Sequence, residues 1–263
     1  IGFGGYPSAS IVEAAARLGY KTMIHEQNSI IGLTNKILVK NVDRIVCCYD
    51  KAYESFPKEK TYKLGNPRAS VIAKIEPKDI FKKYDLDPNK PLVTIVMGSL
   101  GSKSVNEKMI ESLKAFENKD YQVLYVTGKP YYQQMEEQLG KLNDNIKLVP
   151  YIDDMPSVLK NTTLVVSRAG ASTLAEITAV GIPSILIPSP YVVANHQEYN
   201  ARELADNDAA MMILEADLNS KDFVNKVDEI INNQILQESM KKNAVALGKP
   251  NACQDIYQLI KEM

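Results

Sequence analysis

The stretch "TLVVSRAGASTLAEITAVGIPSILIP" (Thr163–Pro188) holds a complete strand–helix–strand unit. "TLVVS" is a short apolar, β-branched run, the pattern of a strand buried on both faces. Small residues, Ala169, Gly170 and Ala171, follow it. Thr173–Val180 then reads as a helix, which Gly181 ends as a C′ glycine ahead of Pro183. "PSILIP" is the next buried strand. Strands joined by a helix in this way lie parallel with a right-handed crossover, so the segment predicts a parallel α/β sheet.

The same alternation extends in both directions. "PLVTIVMG" (Pro91–Gly98) is a strand, and Ser102–Phe116 a helix with Val105, Met109, Ile110 and Leu113 on one face. "YQVLYVTG" is a strand followed by a Tyr131–Leu139 helix, and "NIKLVPY" a strand followed by a short Met155–Leu159 helix. Beyond the central unit come a His196–Ala205 helix, the strand "AAMMIL" and a Ser220–Ile231 helix. Six βα units in a row predict a doubly wound parallel sheet. The N-terminal part repeats the pattern on a smaller scale: "PSASIVEAAARLG" a helix, "KTMIH" a strand, Gly32–Val39 a helix, "RIVCCY" a strand and Ser55–Lys63 polar turns. "LGNPR" (Leu64–Arg68) reads as a hinge. We expect two domains, residues 1–67 and 68–247. Residues 248–263 should form a last helix, through Ile256, Leu259 and Ile260, that returns to the first domain. About 65 residues are few for a complete α/β domain. The opening "IGFGGYPSAS" has no strand before its Gly-rich loop, so the expectation is that the first domain is truncated.

Composition is that of an ordinary globular protein: 263 residues, 45% apolar and 24% charged. The net charge of −1 supplies no field to recruit nucleic acid, and no nucleic-acid partner is expected. Cys47, Cys48 and Cys253 form no framework and read as reduced thiols. No apolar run approaches the ~18 residues that a membrane span requires. His25 and His196 lack neighbours at metal-ligand spacing, and Asp153 and Asp154 suit the first turn of a helix, so neither a metal nor a cofactor is expected.

Ligands of open α/β sheets bind at the carboxyl ends of strands. Three strand-to-helix junctions there are rich in small residues: "GFGGYPSAS", "MGSLGSKS" and "SRAGASTLAE". Backbone can approach a ligand closely at such loops, and the helix start favours phosphate oxygens, which together point to a nucleotide or diphosphate. None is a P-loop or a GxGxxG turn. Thr173–Glu176 fits a capping box, and Glu176 equally suits a ribose diol; Ser104–Glu107 fits a second capping box. "IHEQNSIIGLTNK" sets His25, Glu26, Gln27 and Asn28 directly after a strand, where they suit a polar ligand or a solvated loop. "VVANHQEYNA" offers Asn195, His196, Gln197 and Asn200 to sugar hydroxyls or as a plain helix start.

Taken in order, "GGY", "HEQN", "GLTNK", "GNPR", "GSLGS", "YIDDM", "SRAGASTLAE" and "NHQEYNA" resemble the MurG family, bacterial peptidoglycan glycosyltransferases of the GT-B fold. The resemblance covers nearly the whole chain. It implies two Rossmann-like domains with parallel sheets around a cleft, and inverting transfer of N-acetylglucosamine from UDP-N-acetylglucosamine to the C4 hydroxyl of the muramoyl group of lipid I. It implies Arg68 and Ser99 at the donor diphosphate, and the backbone of Ile152 at the uracil edge. Arg168, Ser172 and Thr173 would line the nucleotide site, Glu176 would bind the ribose, and Gln197 with His196 the sugar. Asn106 would lie close to the cleft. Gly4, Gly5, Tyr6, Asn28 and Asn35 would face the acceptor, with His25 or Glu26 supporting its hydroxyl. A peripheral place on the cytoplasmic face of the cell membrane is also implied.

Two departures stand out. The family's first Gly-rich loop and its general-base His do not occur, so the resemblance implies donor binding with reduced or no turnover. Leu100 stands where many relatives carry Gln. The rival expectations are a UDP-sugar-binding module inactive alone, or another UDP-sugar enzyme of this fold, a glycolipid glycosyltransferase or a 2-epimerase.

Overall fold

A computed structural model describes residues 1–263. The N-terminal unit runs α1 (Tyr6–Arg17), β1 (Met23–Glu26), α2 (Leu33–Leu38), β2 (Arg44–Cys47), α3 (Asp50–Ser55) and β3 (Thr61–Lys63). Its three strands are parallel in the order β1-β2-β3, and Gly2 bridges the outer side of β1 at Ile24. β3 lies inside the polar stretch expected to be turns. Its residues pair with Ile45–Cys47 of β2, and this tertiary pairing turns a weak local pattern into an edge strand.

The second unit follows as α4 (Arg68–Lys74), α5 (Ile80–Tyr84), β4 (Leu92–Val96), α6 (Lys103–Ala115), β5 (Gln122–Val126), α7 (Tyr132–Leu139), β6 (Ile146–Val149), α8 (Met155–Lys160), β7 (Leu164–Ser167), α9 (Ala171–Val180), β8 (Ser184–Leu186), α10 (His196–Ala205), β9 (Ala210–Met212) and α11 (Ser220–Ile231). All six strands are parallel in the order β6-β5-β4-β7-β8-β9. The chain therefore winds outward in both directions from β4 and β7, as the six repeated units predict.

Strand periodicity divides the core between the two faces of this sheet. Val93 and Ile95 of β4 pack with Val105, Met109 and Leu113 of α6, whereas Leu92 and Val96 pack with Ile80 and Val158 on the opposite face. Val165 of β7 joins Leu174 and Ile177 of α9 and Leu204 of α10. Both faces are covered, which explains why the strands read as continuous apolar runs.

Two helices close the chain, α12 (Gln234–Leu247) and α13 (Ala252–Lys261). α12 was not expected; it docks by Met240 and Ala244, each in a different core cluster. α13 crosses back to the N-terminal sheet, where Ile256 and Leu259 bury against Met23 and Val46. Each such side chain contributes about 1.5–3 kcal/mol. No helix is long and apolar enough to cross a membrane.

Candidate active site

A cavity of about 190 Å³ opens at the carboxyl ends of β4 and β7. This is where the strand order reverses, the usual ligand position in an open α/β sheet. Gly98, Ser99, Ile152, Arg168, Thr173 and Glu176 are among the residues that line it. Five residues expected at the donor, from three separate loops and α9, are thus brought together.

α9 begins at Ala171, with extended Gly170 as its N-cap and no side chain capping it. The expected Thr173–Glu176 capping box is not formed. Because the helix starts two residues before Thr173, that residue already lies inside the first turn. The first-turn amides of α9 remain open to a ligand, and Ser172 is exposed there. Glu176, buried among apolar neighbours, points its carboxylate to Arg68. The Arg68 Nε donates to Glu176 Oε1 at 2.9 Å and Nη2 contacts the same oxygen.

The Ser104–Glu107 capping box is absent for a similar reason. α6 starts at Lys103 and its N-cap is Ser102. Ser104 Oγ instead donates to Glu215 Oε1 at 2.6 Å. Arg168 lies beside this acid: its Nη2 is 2.5 Å from Glu215 Oε2 and donates to Ser102 Oγ at 2.9 Å. Its Nη1 donates to the carbonyls of Ile187 and Pro188 at 3.1 and 3.2 Å. Arg168 is therefore a strut that ties four loops beneath the cavity. Burial opposes the charge on Glu215, but Ser104 and Arg168 together hold its carboxyl below the usual range. Sequence reasoning missed Glu215; a lone acid directly after the apolar run "AAMMIL" was the available signal.

Asn106 does not reach the cavity. It is buried behind the β4–α6 loop, donating to Thr127 O at 3.0 Å and accepting from the Tyr125 hydroxyl at 2.8 Å. The loop itself abuts Thr127 so closely that a Cβ on Gly101 would sit 2.0 Å from the Thr127 carbonyl oxygen. Gly101 also has φ of +72°, which favours glycine. Leu100, in the same loop, is exposed.

His196 and Gln197 open α10, just beyond left-handed Ala194 and Asn195. Gln197 Oε1 accepts from the Ser189 N–H at 2.9 Å, and His196 Nδ1 lies 3.0 Å from Val193 O. The amide nitrogen of Gln197 and Nε2 of His196 keep free donor or acceptor capacity.

On the N-terminal side, Gly4, Gly5 and Tyr6 form the open start of α1, and Tyr6 is exposed. Glu26 is buried and fully engaged. Oε1 accepts from the Asn28 backbone N–H at 3.0 Å and its Nδ2 at 3.4 Å; Oε2 accepts from Gly32 N at 2.9 Å and Asn35 Nδ2 at 2.8 Å. His25 is buried beside the hinge, with Nε2 3.0 Å from Gly65 O, and burial pushes its pKa down. The Glu26 carboxylate and His25 Nε2 are thus spent within the N-terminal unit, and Asn35 is buried as a staple of the same loop. Four polar residues after a strand here build a rigid loop rather than present four free groups. Asp154 caps α8 by accepting from Ser157 N at 3.2 Å, and exposed Asp153 pairs with Lys83.

Comparison with known proteins matches this layout. A model described as the glycosyltransferase family 28 C-terminal domain matches residues 92–259, and one for the family's N-terminal domain matches residues 1–47. A Listeria monocytogenes UDP-N-acetylglucosamine–N-acetylmuramyl-(pentapeptide) pyrophosphoryl-undecaprenol N-acetylglucosamine transferase is 46% identical over 262 residues, 99% of this chain and 72% of the relative. The Bacillus cytotoxicus protein of the same name is 43% identical over 265 residues, 100% of this chain and 73% of its own. Among solved structures, Acinetobacter baumannii MurG aligns with a TM-score of 0.81 at 28% identity, covering 100% of this chain and 72% of that one. A Neisseria meningitidis UDP-GlcNAc 2-epimerase shares the fold at a TM-score of 0.70 and 12% identity, covering 97% and 73%. With two family models in chain order and curated relatives above 40% identity across its length, the chain belongs to glycosyltransferase family 28, within the MurG group.

Proposed function

We infer that the chain is a glycosyltransferase that moves N-acetylglucosamine from UDP-N-acetylglucosamine to the N-acetylmuramyl group of an undecaprenyl-pyrophosphate-linked acceptor. The observation that carries the reading is the cavity at the β4/β7 switch point, with Arg68 and Glu176 facing one another at its edge. In this reading Glu176 accepts from the ribose hydroxyls, and the Ile152 backbone serves the uracil. Ser99, Arg68 and the first-turn amides of α9 take the diphosphate, and His196 with Gln197 takes the sugar. Transfer follows by one displacement with inversion: the acceptor C4 oxygen bonds to C1, the C1–O bond to UDP breaks, and the hydroxyl proton passes to a base. Negative charge developing on the leaving diphosphate is met by Arg68 and by the α9 N-terminus. The roles are assigned without a metal or cofactor. His25 and Glu26 act by shaping the acceptor loop.

The acceptor is lipid-linked, and an apolar surface suits it. Tyr6 and Ile11 of α1 and Leu33 and Ile37 of α2 are exposed together, beside Lys36 and Lys40. Helices of this kind lie on anionic lipid surfaces by apolar insertion plus basic attraction. We assign this face to the cytoplasmic leaflet. A Leu33→Glu, Ile37→Glu variant should lose sedimentation with anionic vesicles.

Calorimetry with UDP-N-acetylglucosamine, beside a transfer assay on a lipid I analogue, tests the function. Binding with transfer supports it. Binding without transfer would favour a donor-binding module, and no UDP binding would remove both readings.

A further inference from the structure

One carboxamide spans the cleft between the two units. Asn200, in α10, has no exposed surface. Its Oδ1 accepts from the Ser29 N–H at 2.8 Å, and its Nδ2 donates to Asn28 Oδ1 at 3.1 Å and to Ala169 O at 3.2 Å. Asn28 and Ser29 belong to the acceptor-side loop after β1. Ala169 belongs to the loop that carries Arg168 and leads into α9. The side chain thus joins a donor-site helix, a donor-site loop and the acceptor loop.

The acceptor loop is tied together internally. Glu26 ties Asn28, Gly32 and Asn35 together. Ser29 Oγ is buried without a partner, so the loop's own hydroxyl does not fix its position against the second unit. The Gln27–Asn66 tie, at 3.4 Å, stays within residues 1–67, and beside Asn200 the two units also meet where Lys51 Nζ lies 4.1 Å over the Tyr199 ring. Gln197, assigned above to the donor sugar, stands three residues before Asn200 on α10, and i,i+3 residues are neighbours on a helix surface.

We propose that Asn200 is a positioning residue that couples donor-sugar occupancy to closure of the acceptor loop, an inference that rests on the donor reading given above. A sugar held at Gln197 fixes the start of α10. Asn200, one turn on, then holds Asn28 and Ser29 against the donor side. When the units part, its bonds to Asn28 and Ser29 exchange for bonds to water, and the net preference for closure is modest. A ligand with differential affinity can shift such an equilibrium. Linkage makes the coupling reciprocal: bound donor tightens acceptor binding by the same factor that acceptor tightens donor.

The test compares wild type, Asn200→Ala, Asn28→Ala and the double variant. UDP-N-acetylglucosamine affinity is read by calorimetry, turnover with a lipid I analogue, and the distance between one fluorophore on each unit with and without donor. Asn200→Ala should still bind UDP, lose turnover at subsaturating acceptor on the order of tenfold, and show no donor-induced shortening of the distance. Asn28→Ala should fall between it and wild type, and the double variant should be no worse than Asn200→Ala. Normal shortening and turnover in Asn200→Ala overturns the proposal. So does a parallel loss of UDP affinity and Tm in Asn200→Ala with Asn28→Ala unaffected, which would make Asn200 a core amide only. Wild-type protein that binds no UDP-N-acetylglucosamine overturns the donor reading and this one together; binding with closure unchanged in the variants overturns this one alone.

Discussion

Arg68 and Glu176, 108 positions apart in the chain, form a forked ion pair in which the guanidinium meets a single carboxylate oxygen. Arg68 opens α4 just past the hinge, and Glu176 sits mid-way along α9. Without nucleotide each charge satisfies the other. In the donor reading proposed above, a nucleoside diphosphate would replace the pair, with ribose hydroxyls donating to Glu176 and phosphate oxygens accepting from Arg68. Glu176→Ala should therefore weaken UDP binding roughly ten- to hundredfold, the worth of about 1.5–3 kcal/mol for hydrogen bonds to a charged group. Thr173→Ala should barely change Tm, because Gly170 is the N-cap. A Glu176→Ala protein with lowered Tm and unchanged UDP affinity would reduce the pair to a structural tie.

Glu215 should matter as much as the residue it holds. Its side chain and that of Arg168 are 6% and 9% exposed. Removing one partner of a buried pair costs about 3–5 kcal/mol. Glu215→Ala should lower the urea midpoint by that order and weaken UDP binding through the released Arg168. Because the Glu215 carboxyl is held below its ordinary 4.5, its contribution is present above that pH and is lost as pH falls below it. Urea titrations from neutral pH to below 4.5 should show the gap between wild type and Glu215→Gln narrowing as the pH falls.

His25 gives a pH dependence by a different route. Burial lowers its pKa from the ordinary 6.5, so the folded protein keeps the ring neutral where the unfolded chain binds a proton. Stability thus rises with pH through the window just below 6.5 and is lost as pH falls through it. His25→Gln should flatten that slope in denaturant titrations. An unchanged slope would show that another group titrates there.

Two glycines in one loop should respond differently to a methyl group. A Cβ on Gly101 collides with the Thr127 carbonyl, whereas one on Gly98 meets nothing within 4 Å, although both have positive φ. Gly98→Ala should cost about 1 kcal/mol from the left-handed backbone. Gly101→Ala should cost distinctly more and displace the β4–α6 loop, which thermal melts of the two variants would distinguish.

The second sheet was legible because its four inner strands are buried on both faces by helices that follow in sequence. Val93 and Ile95 or Leu164–Val166 read as strands with no knowledge of their neighbours. β3 was not legible, because its identity comes from pairing with β2 rather than from its own pattern. α12 was missed for a related reason: its burial is divided between two core clusters through Met240 and Ala244, leaving a weak stripe.

The site shows the same division. Ser99, Ile152, Arg168, Thr173 and Glu176 were found from small-residue loops at strand ends and from the ordered motifs, and they line one cavity. Their side-chain partners were not found. Thr173 and Ser104 satisfied a local capping rule, yet each helix begins earlier and Ser104 turns to Glu215. Glu26 looked free and is a staple, Asn106 looked like a cleft residue and is a latch, and Asn200 looked like a sugar ligand and crosses between units.

By itself the sequence determined the alternation of strands and helices, the parallel sheet, and which loops lie at its ligand edge, because periodicity and glycine placement are local consequences of backbone geometry. Tertiary structure alone decided which polar groups are spent and which are free. A buried donor or acceptor must find a partner, and partners such as Arg68 with Glu176 or Asn200 with Ser29 are brought together only when distant segments pack.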